Sequence, residues 1–279
     1  MMLVLLMIKE IAKTLVELKK EFVNVYVGQS QIQELIPKSK SELFPIEESH
    51  LDLLHRFAIE NPIYYNSFEL KIGSVDCVVY EGDINKYWLN SIQHNSSKAP
   101  FSPTWIMSGY VAVSLAKELG YSEVIDIGSG DGRIAYCAKI LDMTSYSIEI
   151  DNMLVDLQNQ LTSILNFNPY CSDAVVFDYT SLNLSQPVFF IGGLAQMGGT
   201  FLATRVLDKI TLMSNLKQKI GWIFAGTMSP KYAPDPKNMA GWGTLIENNN
   251  LKPIQTISLP AAWTFHESDE VMYIFAESN

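Results

Sequence analysis

The hydrophobic positions of this chain change rhythm near residue 100. Before it, Ile8, Ile11, Ala12, Leu15 and Phe22 recur at helical spacing with Lys and Glu between them. That spacing predicts an amphipathic helix packed on the body of the protein. A second helix is expected over residues 45–60, stopped by Asn61-Pro62, because the residue before a proline is pushed out of helical geometry. Phe68, Leu70 and Ile72 then alternate, as do Val75, Cys77 and Val79, around Gly73-Ser74. Two alternating runs about such a pair predict a β-hairpin. Residues 1–99 therefore read as a small α+β accessory domain, ending in a polar linker over 91–98 and Ala99-Pro100.

From residue 100 onward apolar strands alternate with helical patterns. Ser102, Pro103 and Gly120 bracket Ile106, Tyr110, Val113, Ala116 and Leu119, predicting a helix capped by Ser102 and closed by Gly120. Strands follow at 124–127, 146–150, 188–191 and 220–225, with helices near 133–141, 153–165 and 201–216. This order predicts an α/β domain over 100–279, a doubly wound and mostly parallel sheet with helices on both faces. Runs at 254–259 and 271–276 have no helical pattern between them and predict an antiparallel end.

Composition narrows the function. The chain has 279 residues, 48% of them hydrophobic, enough for a catalytic domain with an accessory one. Its formal net charge is -10, whereas a nucleic-acid grip draws its affinity from a basic face. A protein or small-molecule partner is expected instead of nucleic acid. Cys77, Cys137 and Cys171 are few, odd in number and far apart, as in a reducing, cytoplasmic setting. His50, His55, His94 and His266 lack zinc-ligand spacing with cysteine, so no metal site is expected. The apolar start, broken at Lys9, is shorter than a membrane span and lacks the flanks of a signal peptide.

Candidate chemistry centres on Val124-Ile125-Asp126-Ile127-Gly128-Ser129-Gly130-Asp131-Gly132-Arg133. A strand delivers the chain to the carboxyl edge of the sheet, where open α/β folds bind ligands. Gly128 and Gly130 let the backbone turn sharply and come close to a ligand. A dinucleotide loop would need glycine where Arg133 stands, and a phosphate-binding loop would need Gly-Lys-Ser/Thr; neither is present. The loop is instead flanked by carboxylates, Asp126 before it and Asp131 inside it, which suit a cation better than a pyrophosphate. Glu149 near the end of the second strand is placed to accept from ribose hydroxyls. Asp173-Ala174 would fall at the end of the third strand, within reach of an adenine amino group.

In that order these residues resemble the S-adenosylmethionine-binding motifs of class I, Rossmann-like methyltransferases. The resemblance covers residues 101–279 and implies a seven-stranded sheet with an antiparallel C-terminal strand. It implies that Asp126, Gly128, Ser129, Gly130, Asp131 and Gly132 hold the methionine moiety. Glu149 with Ile150 would hold the ribose, and Asp173 with Ala174 the adenine, with Gly192 on the same edge. On the acceptor side, Ile191-Gly192-Gly193-Leu194-Ala195-Gln196 stands where many members carry Asp/Asn-Pro-Pro-Tyr/Phe. That departure argues against amino-adenine and glutamine acceptors, and no Pro-Cys nucleophile of the cytosine type is present. Pro100-Phe101-Ser102-Pro103-Thr104 is similar to a segment of small protein-lysine methyltransferases, which leans the acceptor toward a protein amine. Small-molecule and RNA methyltransferases are the alternatives, along with an aminopropyl transferase, whose loop carries three glycines where Gly128-Ser129-Gly130 stands here, and a non-catalytic binding scaffold. The substrate edge is expected at Phe101, Pro103, Thr104, Gly193 and Gln196, with the long proline-bearing loop 228–242 as a lid. Trp105, Tyr232, Trp242 and Trp263 either line an acceptor pocket or belong to the core. No residue stands out as a catalytic base.

Overall fold

A computed structural model describes residues 2–91, 101–162, 165–193, 195, 198–213, 219–226, 236–261 and 270–278. The first helix, α1 (Met2–Val25), follows the expected stripe: Ile8, Ile11, Ala12, Leu15 and Phe22 are buried. It is followed by β1 (Ile32–Pro37), α2 (Glu48–Glu60), β2 (Tyr64–Ile72), β3 (Val75–Gly82) and α3 (Asn85–Ser91). The hairpin forms as predicted, with Ile72 opposite Val75 and Gly73 in a left-handed turn at φ 56°. Neither β1 nor α3 was expected. β1 pairs antiparallel with β3, giving a three-stranded sheet in the order β1-β3-β2.

The second half begins with α4 (Ile106–Glu118), then β4 (Glu123–Ile127), α5 (Arg133–Ile140), β5 (Thr144–Glu149), α6 (Asn152–Leu161) and β6 (Asn168–Cys171). It continues with β7 (Pro187–Ile191), α7 (Gly199–Thr211), β8 (Gly221–Ala225), α8 (Gly243–Asn248), β9 (Leu251–Pro260) and β10 (Glu270–Ser278). These strands form one seven-stranded sheet in the order β6-β5-β4-β7-β8-β10-β9. β4 pairs in parallel with β5 and β7, while β10 runs antiparallel to both β8 and β9. The doubly wound sheet with an antiparallel end is thus present as expected.

One expected feature is corrected. Ser102 does not cap α4: the helix starts four residues later, at Ile106, and its N-cap Trp105 offers no side-chain bond. The first amide, Ile106 N–H, donates instead to Glu34 Oε2 on β1 at 2.9 Å. The far end behaves as predicted, with Gly120 at φ 91° donating its N–H to the carbonyl of Lys117.

Two hydrophobic clusters flank the large sheet. One joins α7 to the β7 and β8 face and includes Trp222 and Trp242. The other runs without a break from Ile8 and Leu15 of α1, through Leu35 of β1 and Leu54 of α2, to Val111 of α4 and Phe275 of β10. α1 lies against both α4 and β9. Among the described residues no helix is long and apolar enough to cross a membrane.

Candidate functional site

The carboxyl edge of β4 and its two neighbours builds the site. Ile127 pairs with Ile148 on one side and Ile191 on the other, so Gly128, Glu149 and Gly192 sit together at one rim. Gly128, Gly130 and Gly132 take φ of 67°, 58° and 78°, the left-handed region that only glycine enters without strain. Among the described residues, a Cβ on Gly128 would meet only Leu202 Cδ2, at 3.8 Å, so they leave this backbone open.

The amides of the loop are already engaged. Gly128 and Ser129 both donate to the carbonyl of Ile148, at 2.9 and 3.3 Å, and Gly132 donates to Ser129 O at 2.9 Å. Gly130 N–H donates to Glu149 Oε2 at 2.8 Å. From α6, Gln158 Nε2 donates to Gly130 O at 2.7 Å and to Ser129 Oγ at 3.0 Å. A phosphate cradle needs several free amides turned outward, and four in this loop point into the scaffold.

Asp126 is the unusual group. It is 2% exposed, and the Ala135 backbone amide in the first turn of α5 acts on its carboxyl to lower the pKa. One of its oxygens, Oδ2, has no hydrogen-bond partner among the described residues. Burial pushes its carboxyl well above the usual range, and the charges of Glu149 and Asp131 push the same way. A buried acceptor left unpaired is costly, and the donor best able to relieve it is a cation.

Glu149 Oε1 accepts from the amides of Ile150 and Asp151, at 2.9 and 3.0 Å, while Oε2 takes Gly130. Burial raises its pKa while those three amides oppose the rise. A carboxylate offers about four lone-pair sites, so Oε2 can accept one more donor. Ser172 N–H donates to Glu149 O at 2.8 Å, bringing the end of β6 alongside. There Asp173 Oδ1 accepts from Val175 N–H at 2.8 Å in a local turn, and Ala174 is buried.

Asp131 departs from expectation. Its carboxylate takes Arg133 Nε at 2.9 Å and Nη2 at 2.6 Å, a two-pronged ion pair. It also accepts Asn61 Nδ2 at 2.9 Å, from the end of α2. Its charge is neutralised inside the protein rather than offered to a ligand. Arg133 goes on to donate to Glu34 Oε1 and to the carbonyl of Thr104, and to Tyr64 Oη at 3.2 Å. Glu34, Asn61 and Tyr64 were missed in the sequence. The available signal was Arg133 itself, a cation in a helix's first turn, where the dipole is unfavourable unless a carboxylate answers it.

The expected substrate edge is buried at Phe101 and Pro103 and half-buried at Thr104 and Gly193. Phe101 lies against the loop, since a Cβ on Gly130 would come within 2.6 Å of its ring. Pro103 is buried, and the Thr104 hydroxyl is 3.0 Å from Tyr273 Oη. Trp105 and Trp242 are core residues at 0% exposure. Gly193 packs closely on Gly199 at the start of α7. Gln196, Tyr232, Trp263 and residues 228–235 of the expected lid lie outside the described residues.

No family model matches the chain, and no curated protein matches it. Among solved structures it is similar to magnesium protoporphyrin IX methyltransferase from Synechocystis PCC 6803 with bound SAH, at 11% identity and a TM-score of 0.43, over 62% of this chain and 81% of that one. P. horikoshii TYW2 in complex with MeSAdo aligns at 11% identity and a TM-score of 0.43, over 76% of this chain and 71% of that one. M. capricolum TrmK in complex with S-adenosyl-homocysteine aligns at 12% identity and a TM-score of 0.41, over 60% and 68% respectively.

Proposed function

We propose that the rim formed by Asp126, the glycine loop and Glu149 binds S-adenosylmethionine, and that the protein is a methyltransferase. The observation that carries this reading is the buried carboxylate of Asp126, whose Oδ2 has no partner among the described residues. That oxygen is an acceptor suited to the α-ammonium of the methionine moiety. The open approach to Gly128 leaves room for that moiety, and the remaining site on Glu149 suits a ribose hydroxyl. Asp173 and Ala174, next to Glu149, would border the adenine, with Ile150 and Gly192 closing the rim. In this reading Asp131 shapes the loop and does not touch the cofactor.

The bound cofactor would supply a methyl group activated on a sulfonium. The chain's own part is to hold the acceptor in line and keep water away. An amine-bearing protein is our favoured acceptor, because a net charge of -10 disfavours phosphate-rich partners and favours cationic ones. Phe101, Pro103 and Thr104 support the loop, so the lysine acceptor does not rest on them.

Calorimetry with S-adenosylhomocysteine tests the cofactor. Binding should give measurable heat, and Glu149→Gln should weaken it by about tenfold through loss of a charge-assisted bond. No heat with the wild type would sink the proposal. Transfer of a tritiated methyl group to fractionated cell extract then tests the acceptor: label in protein supports the amine, and label confined to RNA overturns it.

A further inference from the structure

We infer that Glu34 of the N-terminal sheet is a positioning residue for the glycine loop, acting through Arg133; this rests on reading that loop as the cofactor site. Glu34 is fully buried, and Arg133 and Asp131 are 2% and 1% exposed. Oε1 of Glu34 accepts from Arg133 Nη1, and from Tyr64 Oη at 2.8 Å, while Oε2 accepts the first amide of α4. Arg133 in turn holds Asp131 through two of its nitrogens and also donates to the Thr104 carbonyl. One carboxylate of the small sheet thus fixes both boundaries of the site: the start of α4, whose preceding segment carries Phe101 against Gly130, and the loop between β4 and α5.

The charges explain why this contact does more than hold the fold together. Two carboxylates and one guanidinium share a volume from which water is excluded. Such clusters stabilise a fold poorly but enforce one arrangement of their members. Without the Glu34 charge, the Nη1 end of Arg133 would keep only the Thr104 carbonyl, while Nη2 keeps Tyr64 and Asp131. The guanidinium would lose its tie to the small sheet's carboxylate and shift within the cluster, and the Asp131 it holds, also bound by Asn61, would shift with it. Asp131 lies between Gly130 and Gly132, whose left-handed geometry shapes the rim. A loosened Asp131 therefore alters the surface presented to the cofactor, although Glu34 itself makes no contact there.

The experiment compares the full-length wild type with Glu34→Gln, which keeps an acceptor for Ile106 N–H but removes the charge. S-adenosylhomocysteine affinity, measured where both are folded by circular dichroism, should fall by about tenfold or more. Exchange of the Gly130 and Gly132 amides should accelerate, while amides of the β2–β3 hairpin keep their wild-type rates. If the variant does not fold, Glu34→Asp keeps the charge on a shorter arm and should show the same local acceleration to a smaller degree. Wild-type affinity and wild-type loop exchange in a folded variant, even with a lowered Tm, would show that Glu34 serves stability alone and overturn the inference. Should the wild type itself take no S-adenosylhomocysteine, the cofactor reading fails, and loop exchange still decides the role of Glu34.

Discussion

Asp126 carries a titration that weighs on the empty protein. Burial raises its pKa well above 3.8, and its Oδ2 has no partner among the described residues. A carboxyl raised on folding favours the protonated form in the native state. Its stabilising contribution is complete below the unfolded pKa, near 3.8, and is lost as pH rises through the folded pKa. Asp126→Asn removes that titration in a side chain of nearly the same size. The variant should match the wild type in Tm at about pH 4 and exceed it increasingly as the pH is raised. Its affinity for S-adenosylhomocysteine should be lower and nearly flat with pH, whereas wild-type affinity should climb as Asp126 ionises. Melting curves and calorimetry at several pH values read both trends. A variant less stable than wild type at neutral pH would show that Oδ2 already has a good partner.

At the scale of elements, two left-handed glycines separate the cost of backbone strain from the cost of packing. Gly120 ends α4 at φ 91°, and a Cβ there would meet nothing within 4 Å among the described residues. Gly120→Ala should therefore cost about 1 kcal/mol, the price of the conformation alone, with no change in ligand affinity. Gly130 has a similar conformation, but its Cβ would sit 2.6 Å from Phe101 Cε2. Gly130→Ala should cost about 2–4 kcal/mol, and adding Phe101→Ala should bring the pair below the sum of the single losses. Additive losses in a double-mutant cycle would mean that Phe101 does not press on the loop. These elements also mark how far the sequence could be read. The β4–loop–α5 unit was legible because its signal is local: a short apolar run, glycines, then helical spacing. β1 was not, because Gln33 and Glu34 are polar residues at buried positions and break the alternation a reader looks for. The start of α4 was misread for a related reason: its cap is Glu34, 72 residues earlier in the chain. Helix-end rules that consult only neighbouring residues cannot find such a cap.

The whole molecule is where composition was least informative, since 279 residues accommodate one cooperative body or two. A change of rhythm near residue 100 suggested a boundary. The packing shows one hydrophobic cluster crossing it from α1 to β10, with the Glu34–Arg133–Asp131 network crossing it again. Buried Lys19 of α1 adds a third tie, donating to the carbonyl of Ala261 at 3.0 Å and lying 4.6 Å above the Trp105 ring. Separating the halves would expose the inner faces of α1 and α4 to water and leave Arg133 without two of its partners. Both penalties fall at once, which is the condition for cooperative melting. Differential scanning calorimetry of the full chain should therefore give one transition, with calorimetric and van't Hoff enthalpies in agreement. Its heat-capacity change should be about 3–4 kcal/mol/K, the value for a chain of this length unfolding as a unit. Two resolved transitions, with the first disturbing only residues before 100, would mean that the interface between the halves is weaker than its burial implies. Glu34 would then be an unsound route for coupling the small sheet to the loop.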